Sequence, residues 1–240
     1  MKRLIPFVFV AAVFLFAGCG TRSISNSDYQ PGYRYGPSPA DYAGELSEFD
    51  VLGVEATDKV SDADIEAALR NKRTVRLSRA SHVLLIQSGA DFPDNLMQEP
   101  LAANYIVGPF SGKPRNPKDE AASFSKSLRL AAARGGFDRI LCYWGVLESQ
   151  STDKVTKSVS WVPIVGYFVP DESQAMRIRL KAVLIDTATG DWVMIQPDPV
   201  ADRQSSSLVS RAKSDQELVA RLKEQGYKSM VSLLRSGFTD

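Results

Sequence analysis

One histidine and two cysteines stand among 240 residues. A single imidazole, His82, cannot build a multi-histidine zinc site, and neither H-E-x-x-H nor C-x-x-C spacing occurs. The glycines form no G-x-S-x-G elbow, no Walker-type loop and no G-x-G-x-x-G turn. An excess of charge is missing too. Lys and Arg number 29 against 28 Asp and Glu, a net charge of +1, so nothing calls for nucleic acid or an acidic substrate. There is no internal repeat.

The few reactive groups sit in unpromising places. His82 opens the most apolar run of the chain, His82-Val83-Leu84-Leu85-Ile86-Gln87. A general base needs cleft access and a partner, so this imidazole reads as a core or strand-edge residue. Cys142 alternates with Ile140 and Trp144 on an apolar face. It reads as a buried, inert thiol, not as a nucleophile paired with His82. The acidic pairs Asp91 with Asp94 and Asp119 with Glu120 fall at turns and helix starts, where dipole and turn chemistry accounts for them. No catalytic residue, metal ligand or cofactor is expected. Hydrophobic content of 44% and charged content of 24% are those of an ordinary globular chain.

A membrane-spanning run is also lacking. Leu4 to Phe16 is an apolar stretch broken by Pro6, preceded by Lys2 and Arg3 and closed by Ala17-Gly18-Cys19. It is about 13 residues long where a spanning helix needs about 20. A charged start, a short apolar run and a small-residue site mark a secretory signal. Phe16-Ala17-Gly18-Cys19 resembles the lipobox of bacterial lipoproteins. The resemblance implies a signal peptide over 1–18 and acyl chains, palmitate among them, on Cys19 as the new N-terminus. Cys142 then has no partner for an intramolecular disulfide. Loss of Lys2 and Arg3 leaves side chains that sum to about −1. Gly20 is not the Asp that resembles an inner-membrane retention signal, which points to the outer membrane with the folded part in the periplasm.

Residues 19–48 are rich in Ser, Gly, Pro and Tyr without helical or strand period, and read as the lipidated Cys and a flexible tether. A coil of about 30 residues has an r.m.s. reach of about 30 Å. Its removal is expected to leave the melting temperature of the domain nearly unchanged. The single domain, 49–238, reads as α/β (α+β) with a mixed sheet and helices packed mainly on one face. Ser61 with Asp64 signals a helix from Val60 to Lys72, with Ile65, Ala68 and Leu69 on its apolar face. Strands are expected at His82 to Gln87 and Tyr105 to Phe110, with a short helix opened by Pro93-Asp94 between them. A helix capped by Asn116 runs to Gly135-Gly136. Phe137 to Glu148 follows as a strand apolar on both faces. Ala175 to Asp186 and Trp192 to Gln196 form a hairpin around Thr189-Gly190, Pro197 to Ser207 is a loop, and Ser214 with Glu217 forms a capping box for the last helix.

Gly136-Phe137-Asp138 before a strand, and Leu184-Ile185-Asp186-Thr187-Ala188-Thr189-Gly190 in the hairpin, are similar to a pattern in periplasmic lipoproteins. These are of the curli-secretion and penicillin-binding-protein-activator type, with the amino-terminal domain of the Tol-system propeller protein. That resemblance implies a compact α/β domain that binds proteins or assembles and does not catalyse. Two surfaces suggest themselves. Trp161, Ile164, Tyr167 and Phe168 lie in an apolar stretch, Val159 to Pro170, broken by Pro163, Gly166 and Pro170, which reads as a cap over the sheet or as an interaction patch. Lys72, Arg73, Arg76 and Arg79, joined by Arg177 and Arg179, form a basic cluster that is a solvated face or a contact for anionic lipid or an acidic partner. The expected partners are the membrane through Cys19 and envelope proteins or the chain itself. The expected role is a binding or accessory module of an envelope assembly; an envelope hydrolase, peptidase-like, or a structural oligomer are the alternatives.

Overall fold

The computed structural model describes residues 19–27, 42–54, 60–71, 73–114, 116, 121–153, 172–206 and 211–237. In chain order the strands are β1 (Cys19–Ser23), β2 (His82–Gln87), β3 (Ile106–Phe110), β4 (Arg139–Asp153), β5 (Glu172–Asp186), β6 (Trp192–Ile195) and β7 (Val200–Ser206). The helices are α1 (Glu48–Leu52), α2 (Asp62–Arg70), α3 (Asn95–Ala102), α4 (Ala121–Arg134) and α5 (Arg211–Gly237), with a 3-10 turn at Ile24–Asn26.

The seven strands form one mixed sheet in the order β3-β2-β4-β5-β6. β2 is parallel to both β3 and β4, while β4 and β5 are antiparallel. β4 and β5 are each 15 residues long and outrun their neighbours. β2 flanks the first part of β4 and β1 pairs with its later part; β6 and β7 divide β5 in the same way. One end of the sheet is therefore a row of β1, β4, β5 and β7, and the other a row of β3, β2, β4, β5 and β6. From Arg139 to Gln150 the sheet extends about 37 Å along β4.

The alternation of β4 fixes the two layers, as its sequence predicts. Leu141, Tyr143 and Leu147 face the larger core, with Met97 and Leu101 of α3 and Leu218, Leu222, Met230 and Leu234 of α5. Ile140, Cys142 and Trp144 face a smaller core with Leu46, Val51 of α1 and Leu128 and Ala132 of α4. The chain is a single α/β domain, with its heavier helical layer, α5 and α3, on one face. Gly145 is where β4 must be bare: a Cβ there would stand 2.6 Å from Leu180 and 2.8 Å from Ile24. Gly136 ends α4 with φ 77°, the left-handed conformation that glycine adopts without penalty.

Several elements depart from the sequence reading. Residues 19–27 and 42–48 are not free coil. β1 adds to β4 through backbone bonds that need no hydrophobic alternation. Ile24 and Leu46 are buried in the two cores, so removing 20–48 would strip both. β7 occupies much of the expected loop at 197–207, a polar strand again recruited by backbone pairing. Ser214 lies inside α5, which already begins at Arg211, so it is not the cap. Ser61 and Asp64 do form the expected box around the start of α2. The apolar side of that helix is open to solvent, however, with Ile65 51% and Leu69 70% exposed.

Candidate functional site

Where the C-terminal ends of β1 and β2 meet beside β4, the chain builds a polar cluster inside the larger core. Gln87 ends β2 and is buried. Its Oε1 accepts from the Tyr143 hydroxyl at 2.6 Å and from the backbone N–H of Asp94 at 2.7 Å. Its Nε2 donates to Ser25 Oγ at 2.9 Å, and that hydroxyl donates to the Ser88 carbonyl at 2.5 Å. Asp94 Oδ2 accepts from the Tyr227 hydroxyl at 2.6 Å and from Lys223 Nζ at 2.9 Å. Lys223 Nζ also donates to the Ile24 carbonyl at 2.9 Å. Burial, first, and then the nearby Asp94 charge push both phenols, Tyr143 and Tyr227, well above the ordinary tyrosine range. They stay neutral and act as donors. The cluster therefore ties three remote segments together: the turn after β1, the start of α3 and the middle of α5.

The opposite face of the sheet is different in kind. α4 and α1 cover its β2 half, and among the described residues no helix lies over the half formed by β1, the later part of β4, β5 and β7. Trp144, Val146 and Glu148 of β4 lie beside Lys181, Arg179 and Arg177 of β5 in register. Arg177 and Arg179 both pair with Glu148, the latter at 2.5 Å. The hydrogen bond from Arg177, followed by the charges of both guanidiniums, holds the Glu148 carboxyl below the ordinary range. Lys181 pairs with Glu48 of α1 and stands 5.7 Å from the centre of the Trp144 ring. The Trp144 indole donates to the Leu46 carbonyl at 2.7 Å. Trp144, Gly145, Val146, Arg179, Leu180, Lys181 and Gln196 line a recess of about 240 Å³ there. An aromatic wall with cationic rims suits a polar or anionic group of a partner.

The residues singled out by sequence fall as follows. Cys142 is fully buried, and desolvation raises its thiol well above the ordinary value. His82 opens β2, where its backbone N–H donates to Asp138 Oδ1 at 2.6 Å. Cys142 pairs in register with Ile86, four residues along β2 from His82, so the two do not meet. Among the described residues no group of three or more His, Cys, Asp or Glu side chains is placed to hold a metal. Trp161, Ile164, Tyr167 and Phe168 lie outside the described residues, as does Lys72. Arg73, Arg76 and Arg79 precede β2, and Arg139 at the start of β4 donates to the Arg76 carbonyl at 2.9 Å. Arg177 and Arg179 are at the other end of the sheet, about 30 Å along β4, so they do not join that cluster. The sequence reading missed Lys223, Tyr227 and Gln87. Their one signal was position: a lysine and a tyrosine on the apolar stripe of the last helix, one and five residues after Leu222.

An open mixed sheet with a strand docked on it from Cys19 onward defines an α/β protein. The chain belongs to the YafT bacterial lipoprotein family, which matches residues 47–236. Membership makes it a bacterial lipoprotein held in the cell envelope through lipid. No curated protein matches it. Among solved structures it is similar to a PelC dodecamer from Paraburkholderia phytofirmans at 14% identity, covering 66% of this chain and 95% of that one, with a TM-score of 0.25. It is also similar to the hypothetical protein CT253 from Chlamydia trachomatis at 12% identity, covering 66% and 97%, with a TM-score of 0.30. Both scores are too low to carry an argument. Among the described residues no helix is long and apolar enough to cross a membrane.

Proposed function

We propose that this lipoprotein, acylated on Cys19 after loss of residues 1–18, is a non-catalytic binding or accessory module of an envelope assembly. It acts from the outer membrane, with the domain in the periplasm. The observation that carries the reading is the Trp144–Arg179–Lys181 recess, on a sheet half that no helix covers among the described residues. The reading also agrees with the reactive groups, since the buried Cys142 thiol and His82 are apart. A photo-crosslinking amino acid placed at Arg179 in cells tests it. A discrete protein adduct at this position, absent when the same group stands at Thr189 on the far hairpin turn, is the expected result. Equal adducts at both positions, or none, would remove the reading. The anchor is tested separately: Cys19→Ser should abolish palmitate incorporation and leave an unprocessed precursor.

A second reading, self-assembly, is favoured by β3. It pairs only with β2 among the described strands, and it exposes Ile106 and Phe110 along that edge. Open strand edges template pairing between chains. Native mass of the full, acylated protein in detergent decides whether one copy or several is present.

A further inference from the structure

Resting on acylation of Cys19, we infer that the domain does not hang from a coil. The end of the sheet formed by β1, the end of β4, the start of β5 and the end of β7 lies directly on the lipid surface. β1 begins at Cys19 itself, paired with Gln150, and runs in register to Ser23 opposite Val146. There is no slack between the acylated residue and the sheet. The strand is also held beyond its own pairing. Ile24, next in the chain, is buried against Gly145 and Leu180. Lys223 grips the Ile24 carbonyl, and Ser25 is bridged between Gln87 and Ser88. Lifting the domain from the bilayer would require peeling off β1 and breaking into that cluster.

The geometry has three consequences. The ends of β4 and β5, Asp153 opposite Glu172, lie about 10 Å beyond the Cys19 row. Two exposed guanidiniums, Arg177 and Arg179, which pair with Glu148, stand on the adjoining rows, within reach of anionic headgroups. The cluster of Arg73, Arg76 and Arg79 stands at the opposite end of the sheet, about 40 Å away, and faces away from the lipid.

The test uses the full, acylated protein in vesicles of phosphatidylethanolamine and phosphatidylglycerol containing a lipid with a nitroxide headgroup. A fluorophore is attached at Ala201→Cys or at Thr189→Cys; Cys142 is buried and does not compete. Ala201 pairs with Arg177, two rows from Cys19, or about 7 Å. Thr189 is on the β5–β6 turn at the far end. Quenching at 201 should be about threefold or more that at 189, given a separation of about 40 Å along the sheet. If the protein floats with the vesicles and the two positions quench equally, or neither quenches, the inference falls while the lipid anchor stands. If the protein with intact Cys19 does not float, the anchor fails and this inference with it.

Discussion

Asp94 and Glu148 each accept two cationic or phenolic donors, and their side chains are equally exposed, at 18%. Their partners are not. Lys223 is 2% exposed, whereas Arg177 and Arg179 are 51% and 49% exposed. The Asp94 cluster lies under α5 in the larger core, and the Glu148 group lies on the half of the other face that no described helix covers. The burial of the partner, not of the carboxylate, thus separates a cluster that organises the fold from a surface free to meet something else. A buried ammonium without its carboxylate is a stranded charge. An exposed guanidinium without its carboxylate returns to water.

The widest break in that comparison comes from Lys223→Met. It leaves Asp94 without its ammonium and the Ile24 carbonyl without this donor, and should cost about 3–5 kcal/mol in urea unfolding. A cost no larger than that of a surface substitution would show the cluster to be ornamental. Ile24→Ala should cost about 2 kcal/mol or more, as other truncations of buried side chains do. An unchanged urea midpoint would return residues 19–27 to the status of a free tether.

Tyr227→Phe removes one hydrogen bond to a charged acceptor and should cost about 2 kcal/mol at neutral pH. It also sharpens the comparison through pH. The Tyr143 and Tyr227 phenols titrate higher when folded than when unfolded. Their contribution is complete below the unfolded value near 10 and is lost as pH rises above it. Stability of the natural protein should therefore fall above about pH 10, and less steeply in the variant. An equal alkaline slope would mean that other groups set it.

The smallest effect is expected on the open face. Arg177→Ala should change stability by less than about 1 kcal/mol, since exposed pairs contribute little. Glu148 is held low when folded, so its share is present above the ordinary carboxylate range and lost as pH falls through its folded value. In Arg177→Ala that acid-side loss should shrink. A large neutral-pH loss instead would place Arg177 in the architecture and weaken the case for a binding surface.

Much of the layer structure was legible in the chain because burial on two faces writes itself as alternation. Residues 139–147 state both cores, and Ser61 with Asp64 states the start of α2. β1 and β7 were not legible: their partner surfaces are backbone edges, and an edge imposes no side-chain pattern. The recess was hidden for a related reason. Trp144 and Lys181 are far apart in sequence, and only the β4–β5 register brings them side by side.

By itself the sequence determined the charged start and short apolar run that end in a lipobox-like Phe16-Ala17-Gly18-Cys19, the poverty in reactive groups and the alternation that makes a two-faced sheet. These are properties of contiguous residues, read by local chemistry and by period. The tertiary structure alone decided that Cys19 opens a sheet strand, that Lys223 closes on Ile24 across 199 residues, and that, among the described residues, no helix covers one half of one face. Those outcomes depend on which segments are left to satisfy the edges and charges of others, and no local stretch of chain carries that information.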